Sequence, residues 1–310
     1  MGAPLRIGVV VPNAGATIAG VADRLRSIEE LGLDHAWMPG IPNGPDILSL
    51  LAVAGRVTER IEIGSAVVPA YLRHPAAMAT QALVVDDALG GRFTLGLGLS
   101  HRKVVEGHLG LSYEHPVAYM SDYLAILQPL LATGSVDHRG TQLRTKLWLD
   151  VARPVDGGSC PPVMLAALGP QMLRLAGRAA DGAMTWMAGL RAIEDHVVPT
   201  VTAAAEAAGR PPPRILASLP TMLTDDVDAA RARADDEFAL YGRLPAYRAV
   251  LTLAGATHVG EIALVGDERA LTDAIGRLRD AGVTDLQVTP FGDAAAVDRT
   301  LDFVAGRPAG

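Results

Sequence analysis

The chain of 310 residues contains one cysteine, Cys160, and only two lysines, Lys103 and Lys146. A lone cysteine excludes a disulfide within the chain and a cysteine-rich zinc site. Scarce lysine argues against Schiff-base catalysis, which needs a buried lysine amine. Among the histidines there is no HxH and no HExxH, so no metal site is expected. No run of about 18 apolar residues occurs, so no membrane-spanning helix is expected. The opening MGAPLRIGVVVPN is too short and wrongly flanked for a signal peptide, and Arg6 stands where a myristoylation pattern needs Ser or Thr. A cytoplasmic, reducing location is the resulting expectation. Basic residues number 27 against 34 acidic ones, a net charge of −7. Such a surface disfavours nonspecific nucleic-acid binding.

What the chain does have is an alternation of short apolar runs with amphipathic segments. Leu5–Val11, Asp34–Met38, the run from Ile61, Phe93–Leu97, Pro162–Ala167, Gly182–Trp186, Arg214–Leu219 and Leu286–Thr289 read as buried strands. Between them, Thr17–Leu31, Asp46–Val57, Pro75–Leu89, Pro170–Ala179, Ile193–Ala208 and Glu268–Ala281 read as helices, with a last one from Ala294. A helix–Gly–strand junction recurs at IEELGLDHAW, GRAADGAMTW and RDAGVTDLQV. Eight strands joined by helical crossovers predict an α/β fold, a (β/α)8 TIM barrel, as one domain over 1–310. Insertions are expected at about 100–115 (a polar loop), 136–150 (a hairpin around Gly140) and 225–256 (extra helix). An open doubly wound sheet is the structural rival, but PNAGA after the first strand is not its glycine fingerprint.

In a barrel the site lies where the strands end. Those ends carry Asn13, Pro39-Gly40, Ser65-Ala66-Val67, Gly98-Leu99-Ser100-His101, Leu168-Gly169, Trp186, Pro220 and Thr289-Pro290. They are short of acids, which argues against glycosidase chemistry. His101 and Arg102 are placed to hold phosphate or carboxylate groups, whereas Lys103 reads as a solvated loop residue. His74 is either a cofactor-facing group beside Arg73 or a loop histidine that caps the helix opened by Pro75. Gly169-Pro170-Gln171-Met172 is either a phosphate-binding helix N-terminus or an ordinary turn. Trp186 is placed to wall a pocket. Cys160, before the fifth strand, falls at the opposite end and is expected to be inert.

Three segments together, RIEIGSAVVPAYLRHPAAMATQAL, GGRFTLGLGLSHRKVVEGHLG and PVMLAALGPQMLRLAGRAADGAMTW, resemble the luciferase-like monooxygenase superfamily. More narrowly they resemble its actinobacterial branch of coenzyme F420-dependent oxidoreductases, over nearly the whole chain. The resemblance implies a bacterial luciferase-like barrel, a homodimer, and a deazaflavin at the C-terminal rim, with FMN as the alternative cofactor. It implies a non-prolyl cis peptide at Ser65-Ala66-Val67, between Ala66 and Val67, against which the ring leans. It further implies cofactor contacts from Asn13, His74, Gly98, Ser100 and Arg102, and a phosphate turn at Ala167, Leu168, Gly169, Gln171 and Met172. Pro39 and Trp186 would line the substrate pocket. Many relatives end the second strand with Asp-His; this chain reads Trp37-Met38-Pro39-Gly40, which puts a sugar-phosphate dehydrogenase role in doubt. His101 stands where those enzymes often carry Glu, and is the expected catalytic proton donor.

The implied activity is hydride transfer between the deazaflavin and an activated C=C or C=N bond of a small organic substrate. An FMN-dependent monooxygenase is the same-fold alternative. A barrel that has lost catalysis and only binds an anionic ligand is the alternative from another class. Because coenzyme F420 carries a phosphate and a glutamate tail, Arg73, His74, His101, Arg102 and Lys103 are expected to form a small basic mouth on an acidic protein.

Overall fold

A computed structural model describes residues 4–151 and 160–306; the expected single domain extends beyond these at 1–3, 152–159 and 307–310. Eight parallel strands form the barrel: β1 Arg6–Val10, β2 His35–Met38, β3 Glu62–Ser65, β4 Phe93–Gly98, β5 Val163–Ala166, β6 Gly182–Trp186, β7 Arg214–Leu223 and β8 Asp285–Pro290. Each pairs with the next in chain order, from β1 with β2 to β7 with β8. β8 returns to β1 through Arg6↔Asp285 to Val9↔Val288, so the sheet closes and the doubly wound alternative falls. Helices at 18–30, 47–54, 75–88, 116–132, 170–179, 198–207, 268–281 and 294–305 surround it.

Local chemistry sets these boundaries. Thr17, Asp46, Asp267 and Asp293 each accept a backbone N–H from the first turn of the helix they precede, satisfying donors that have no partner inside the helix. Val21, Leu25 and Ile28 form the buried stripe of the first helix, the spacing that faces one side of a 3.6-residue turn. The hairpin Ser135–Arg139/Arg144–Trp148 pairs Arg139 with Arg144 around Gly140, as the alternation indicates.

Three sequence expectations need correction. The segment 100–115 is not all loop: Arg102–Gly107 is helical, pinned by buried Val105 and by Val104 and Val105 N–H groups donating to His101 O. β7 runs on to Leu223 despite Pro220, because β6 ends opposite Ser218 and no β6 partner remains to need the missing N–H. A further short strand, Leu264–Gly266, pairs with Thr221–Leu223; three residues are too few to show a period. The third expected insertion is the helices 227–237, 239–242 and 245–254. Cys160 precedes β5 and its Sγ donates to Leu131 O at 2.9 Å.

The barrel interior is filled in layers. At the N-terminal end, Arg214 bridges Glu62 (3.0 Å) and Asp285 (2.8 Å), and Arg6 bridges the same two carboxylates at 2.8 and 3.2 Å. Against the opposing effect of burial, Arg214 and Arg6 hold the Glu62 carboxyl below the usual range, and Arg214 chiefly does so for Asp285. Above this layer lie Trp37, Met164, Met184 and Leu216. The Trp37 indole is fully buried and its Nε1 donates to His35 Nδ1 at 2.8 Å. Gly64 makes room for it: a Cβ there would stand 2.1 Å from the indole ring.

His35 is fully buried, and burial pushes its pKa down from 6.5 to about 4. The unfolded chain therefore takes up a proton below pH 6.5 that the native chain refuses until about pH 4. Stability should fall over that window, by on the order of 3 kcal/mol at its lower end. Urea unfolding as a function of pH checks this; His35→Gln, which keeps an acceptor for Trp37, should flatten the dependence.

Candidate active site

At the C-terminal end of β3 the chain takes one residue more than β4 beside it. Ile63 pairs with Phe93, but Val68 pairs with Leu97, which is a bulge. The Ala66–Val67 peptide bond within it is cis, where the resemblance places it. Ser65 is fully buried beneath: its Oγ donates to Gly96 O and accepts from Gly96 N, both at 2.9 Å. Ser65 thus holds β3 on β4 rather than facing the mouth. Gly98 lets the bulge lie flush, since a Cβ there would come within 2.4 Å of Val67 Cγ2. Ala66, Val67 and Ala166 pack on Trp37, Met164, Met184 and Leu216. The mouth therefore has an apolar floor.

Polar groups ring that floor. Asn13 is 3% exposed; its Nδ2 donates to Pro39 O at 2.9 Å, and the adjoining Gly40 N donates to Val67 O. Asn13 Oδ1 is buried with no hydrogen-bond donor among the described residues. An unpaired buried acceptor costs free energy unless something else pairs with it. Ser100, with φ 62°, and Met187, with φ 57°, are in the left-handed region at the ends of β4 and β6. Non-glycine residues so placed concentrate at functional sites. Tyr113 Oη donates to Ser100 O at 3.3 Å.

His101 is half-buried, and burial holds its pKa below the ordinary imidazole value. Its ring lies 6.0 Å from that of Tyr247, centroid to centroid. Leu168, at the end of β5, packs with Met187, Tyr247, Leu251 and Ile262, so the 227–254 insertion stands over this side of the mouth. A surface depression lined by Pro245, Arg248, Ala249 and Thr252 lies on the outward face of helix 245–254, opposite buried Tyr247 and Val250. Gly169 precedes helix 170–179 with no side-chain cap and open space around it. The first N–H groups there, including those of Gln171 and Met172, have no partner within the helix and suit an anion. Gln171 is exposed and Met172 half-buried.

The structure places Asn13, Pro39, Ala66, Val67, Gly98, Ser100, His101, Leu168 and Trp186 at the C-terminal ends of the strands, with Ala167 buried in the core beside them. It turns other residues elsewhere. His74 caps its own helix, Nδ1 accepting from Ala76 N, while Nε2 faces Thr145 Oγ1 at 3.3 Å. Arg73 is paired with Asp46, and Arg102, exposed, with Glu106 at 2.6 Å. The expected basic mouth is corrected accordingly: both arginines already face carboxylates, one from the loop after β2 and one a helical turn away. Sequence reasoning missed Phe238 and Tyr241, whose rings meet Trp186, Tyr247, whose ring meets His101, and Phe291, whose ring meets Phe238; the cluster of aromatics in the insertion was the available signal for the first three.

The chain is thus a closed (β/α)8 barrel with a bulge at β3 and a helical insertion after β7, and it belongs to the luciferase-like monooxygenase family, whose model matches residues 4–297. Among curated relatives, a 5,10-methylenetetrahydromethanopterin reductase of Methanolobus tindarius is 28% identical over 213 residues; the match covers 69% of this chain but only 64% of that protein's length. The solved coenzyme F420 dependent tetrahydromethanopterin reductase of Methanopyrus kandleri superposes with TM-score 0.78 at 21% identity, covering 98% of each chain. The oxygenating constituent of 3,6-diketocamphane monooxygenase of Pseudomonas putida, solved with FMN, superposes with TM-score 0.77 at 19% identity, covering 99% of this chain and 98% of that one. At these identities the two superpositions establish the fold.

Gly98→Ala should lower stability by about 1–3 kcal/mol, because Val67 must move in a packed layer. Gly169→Ala, with open space around it, should cost less than about 1 kcal/mol. Urea unfolding of the two variants side by side measures the difference.

Proposed function

We propose that this protein is a coenzyme F420-dependent oxidoreductase acting on an activated C=C or C=N bond of a small organic substrate. The observation that carries this reading is the Ala66–Val67 bulge, flush with Gly98 over an apolar floor, with the unpaired Asn13 Oδ1 held nearby through Pro39 and Gly40. A planar heterocycle fits there: its face needs an apolar bed and its edge N–H needs an acceptor. Gly169, Gln171 and Met172 would take its phosphate at the helix N-terminus, with Ser100 and Leu168 at the rim. The name of the solved coenzyme F420 dependent reductase supports the same cofactor. When bound, the deazaflavin supplies hydride chemistry at its C5. The chain's residues bind and orient two rings, exclude water, and hold a proton at the His101 imidazole. We further propose a homodimer, with exposed Val53 and Val84 on helices 47–54 and 75–88 as apolar surface open to a second copy.

The second reading is an FMN-dependent monooxygenase, favoured by the FMN-bound relative of the same fold. Fluorescence titration with oxidised coenzyme F420 and with FMN separates the two. Micromolar binding of the deazaflavin with weak FMN binding is the expected outcome; tight FMN binding alone, with oxygen uptake on reduction, reverses the assignment. Turnover of bound reduced cofactor by any enone or imine excludes a merely ligand-binding barrel.

If His101 donates the proton, only its imidazolium form works as the acid, and burial makes that form scarce at pH 7. Reduction should then quicken about tenfold per pH unit as pH falls from 8 towards the depressed His101 pKa. His101→Ala should be slower and lack this slope; undiminished turnover across pH 5–8 would remove His101 from the chemistry.

A further inference from the structure

The chain has three tryptophans, six tyrosines and four phenylalanines. All six tyrosines, together with Trp186, Phe238 and Phe291, lie in two ring clusters at the C-terminal end of the barrel. Behind the β3 and β4 ends, Tyr71 stacks on Tyr119 at 4.3 Å and 8°, and Tyr113 and Tyr123 join its edges. Tyr123 Oη donates to Arg73 O, which ties that cluster to the framework. Across the mouth, Trp186 meets Phe238 at 5.8 Å and Tyr241 at 5.7 Å. Tyr241 continues to Tyr247 at 4.9 Å, Tyr247 to His101 at 6.0 Å, and Phe238 to Phe291 at 5.7 Å.

This second cluster is a continuous wall from the end of β4 to the end of β8. Tyr247 and Phe291 are buried in it, whereas Trp186, Phe238 and Tyr241 remain half-exposed. Rings in edge contact with one another leave faces for a further ring to stack on. Apart from the His101 imidazole, the wall's own side chains, Trp186, Phe238, Tyr241, Tyr247 and Phe291, carry no charge at neutral pH, and three basic side chains on neighbouring turns have carboxylate partners. Arg102 faces Glu106, Arg233 faces Glu237 at 2.7 Å, and His258 faces Asp235 at 2.7 Å. An anion seated here would have to compete with these carboxylates for its cation, whereas the open turn at Gly169 lies on the β5 side. Recognition of anionic groups and recognition of rings are thus divided between two parts of the rim.

We infer that the mouth takes an uncharged, planar, conjugated molecule as substrate, and that Trp186 and Tyr241 are the rings on which it stacks. This rests on the oxidoreductase reading above but is tested without turnover. Calorimetric titration uses coumarin, an uncharged ring system with a conjugated C=C, and coumarin-3-carboxylate, its anionic counterpart. Each is added to the protein alone and to the protein with oxidised coenzyme F420 or with FMN. Coumarin should bind at least about tenfold more tightly than the carboxylate. Trp186→Ala and Tyr241→Ala should each weaken coumarin by about tenfold, and Trp186→Phe, which keeps a ring, should largely retain it. Circular dichroism of each variant shows whether it is folded. Binding of the carboxylate as tight as that of coumarin, folded alanine variants with unchanged affinity, or no coumarin binding under any of the three conditions overturns the inference. Failure of F420 to bind, with coumarin behaving as expected, would remove the cofactor assignment and leave this one standing.

Discussion

An eight-stranded barrel has room for little inside it, and here the Trp37 indole takes the middle of that space. Its placement has consequences in both directions. Below, its N–H needs an acceptor, and His35 Nδ1 provides it, so His35 must stay neutral beside the Arg6–Glu62–Arg214–Asp285 layer. Breaking such a layer at one member strands the others without partners, which is why it is all-or-none. Above, the indole and its neighbours make the floor on which Ala66 and Val67 rest. With one end sealed by ion pairs and the middle by an indole, chemistry is left only the C-terminal mouth.

That mouth is polar at a few points and apolar over most of its area, the usual composition of a small-molecule site. The polar points are specific: an acceptor at Asn13, backbone N–H groups after Gly169, an imidazole at His101. Each is fixed by the framework and none by a flexible loop side chain. The insertion after β7 adds the aromatic wall. Loop insertions are where barrels of one architecture diverge in what they act on, and in this chain the insertion brings three rings, Phe238, Tyr241 and Tyr247, to a mouth to which the strand ends contribute Trp186 and Phe291.

Overall net charge was a poor guide to the rim, and so was the linear cluster Arg73-His74 with His101-Arg102-Lys103. Neighbouring positions in sequence suggested a basic mouth. In the fold, Asp46 comes from the loop after β2 to meet Arg73, and Glu106 meets Arg102 across one turn of a helix. The second pairing follows from an i, i+4 spacing and could have been read once the helix was recognised. The first depends on contact between residues 27 apart, for which no local pattern exists. His74 shows the same division: Pro75 after it made the cap one of two readings, and only the hairpin carrying Thr145 shows where the other ring nitrogen faces.

By itself the sequence determined the eight strands of the barrel, seven of its eight surrounding helices, the hairpin around Gly140 and the strand-end residues of the rim; the helix 116–132 went unread, and the bulge position came from the family resemblance. The legible elements follow from periodicity, from the Gly and Pro residues that bound the helices, and from motifs short enough to be read in one stretch. Tertiary structure alone decided that Ser65 is sealed under the bulge, that Asn13 keeps an unpaired oxygen, that Arg73 meets Asp46, and that Phe238, Tyr241, Tyr247 and Phe291 join Trp186 in one ring cluster. The physical reason is common to all four. Burial and pairing are properties of surfaces brought together by barrel closure, and the residues that meet there lie tens to hundreds of positions apart in a chain whose local patterns fix direction and face, not partners.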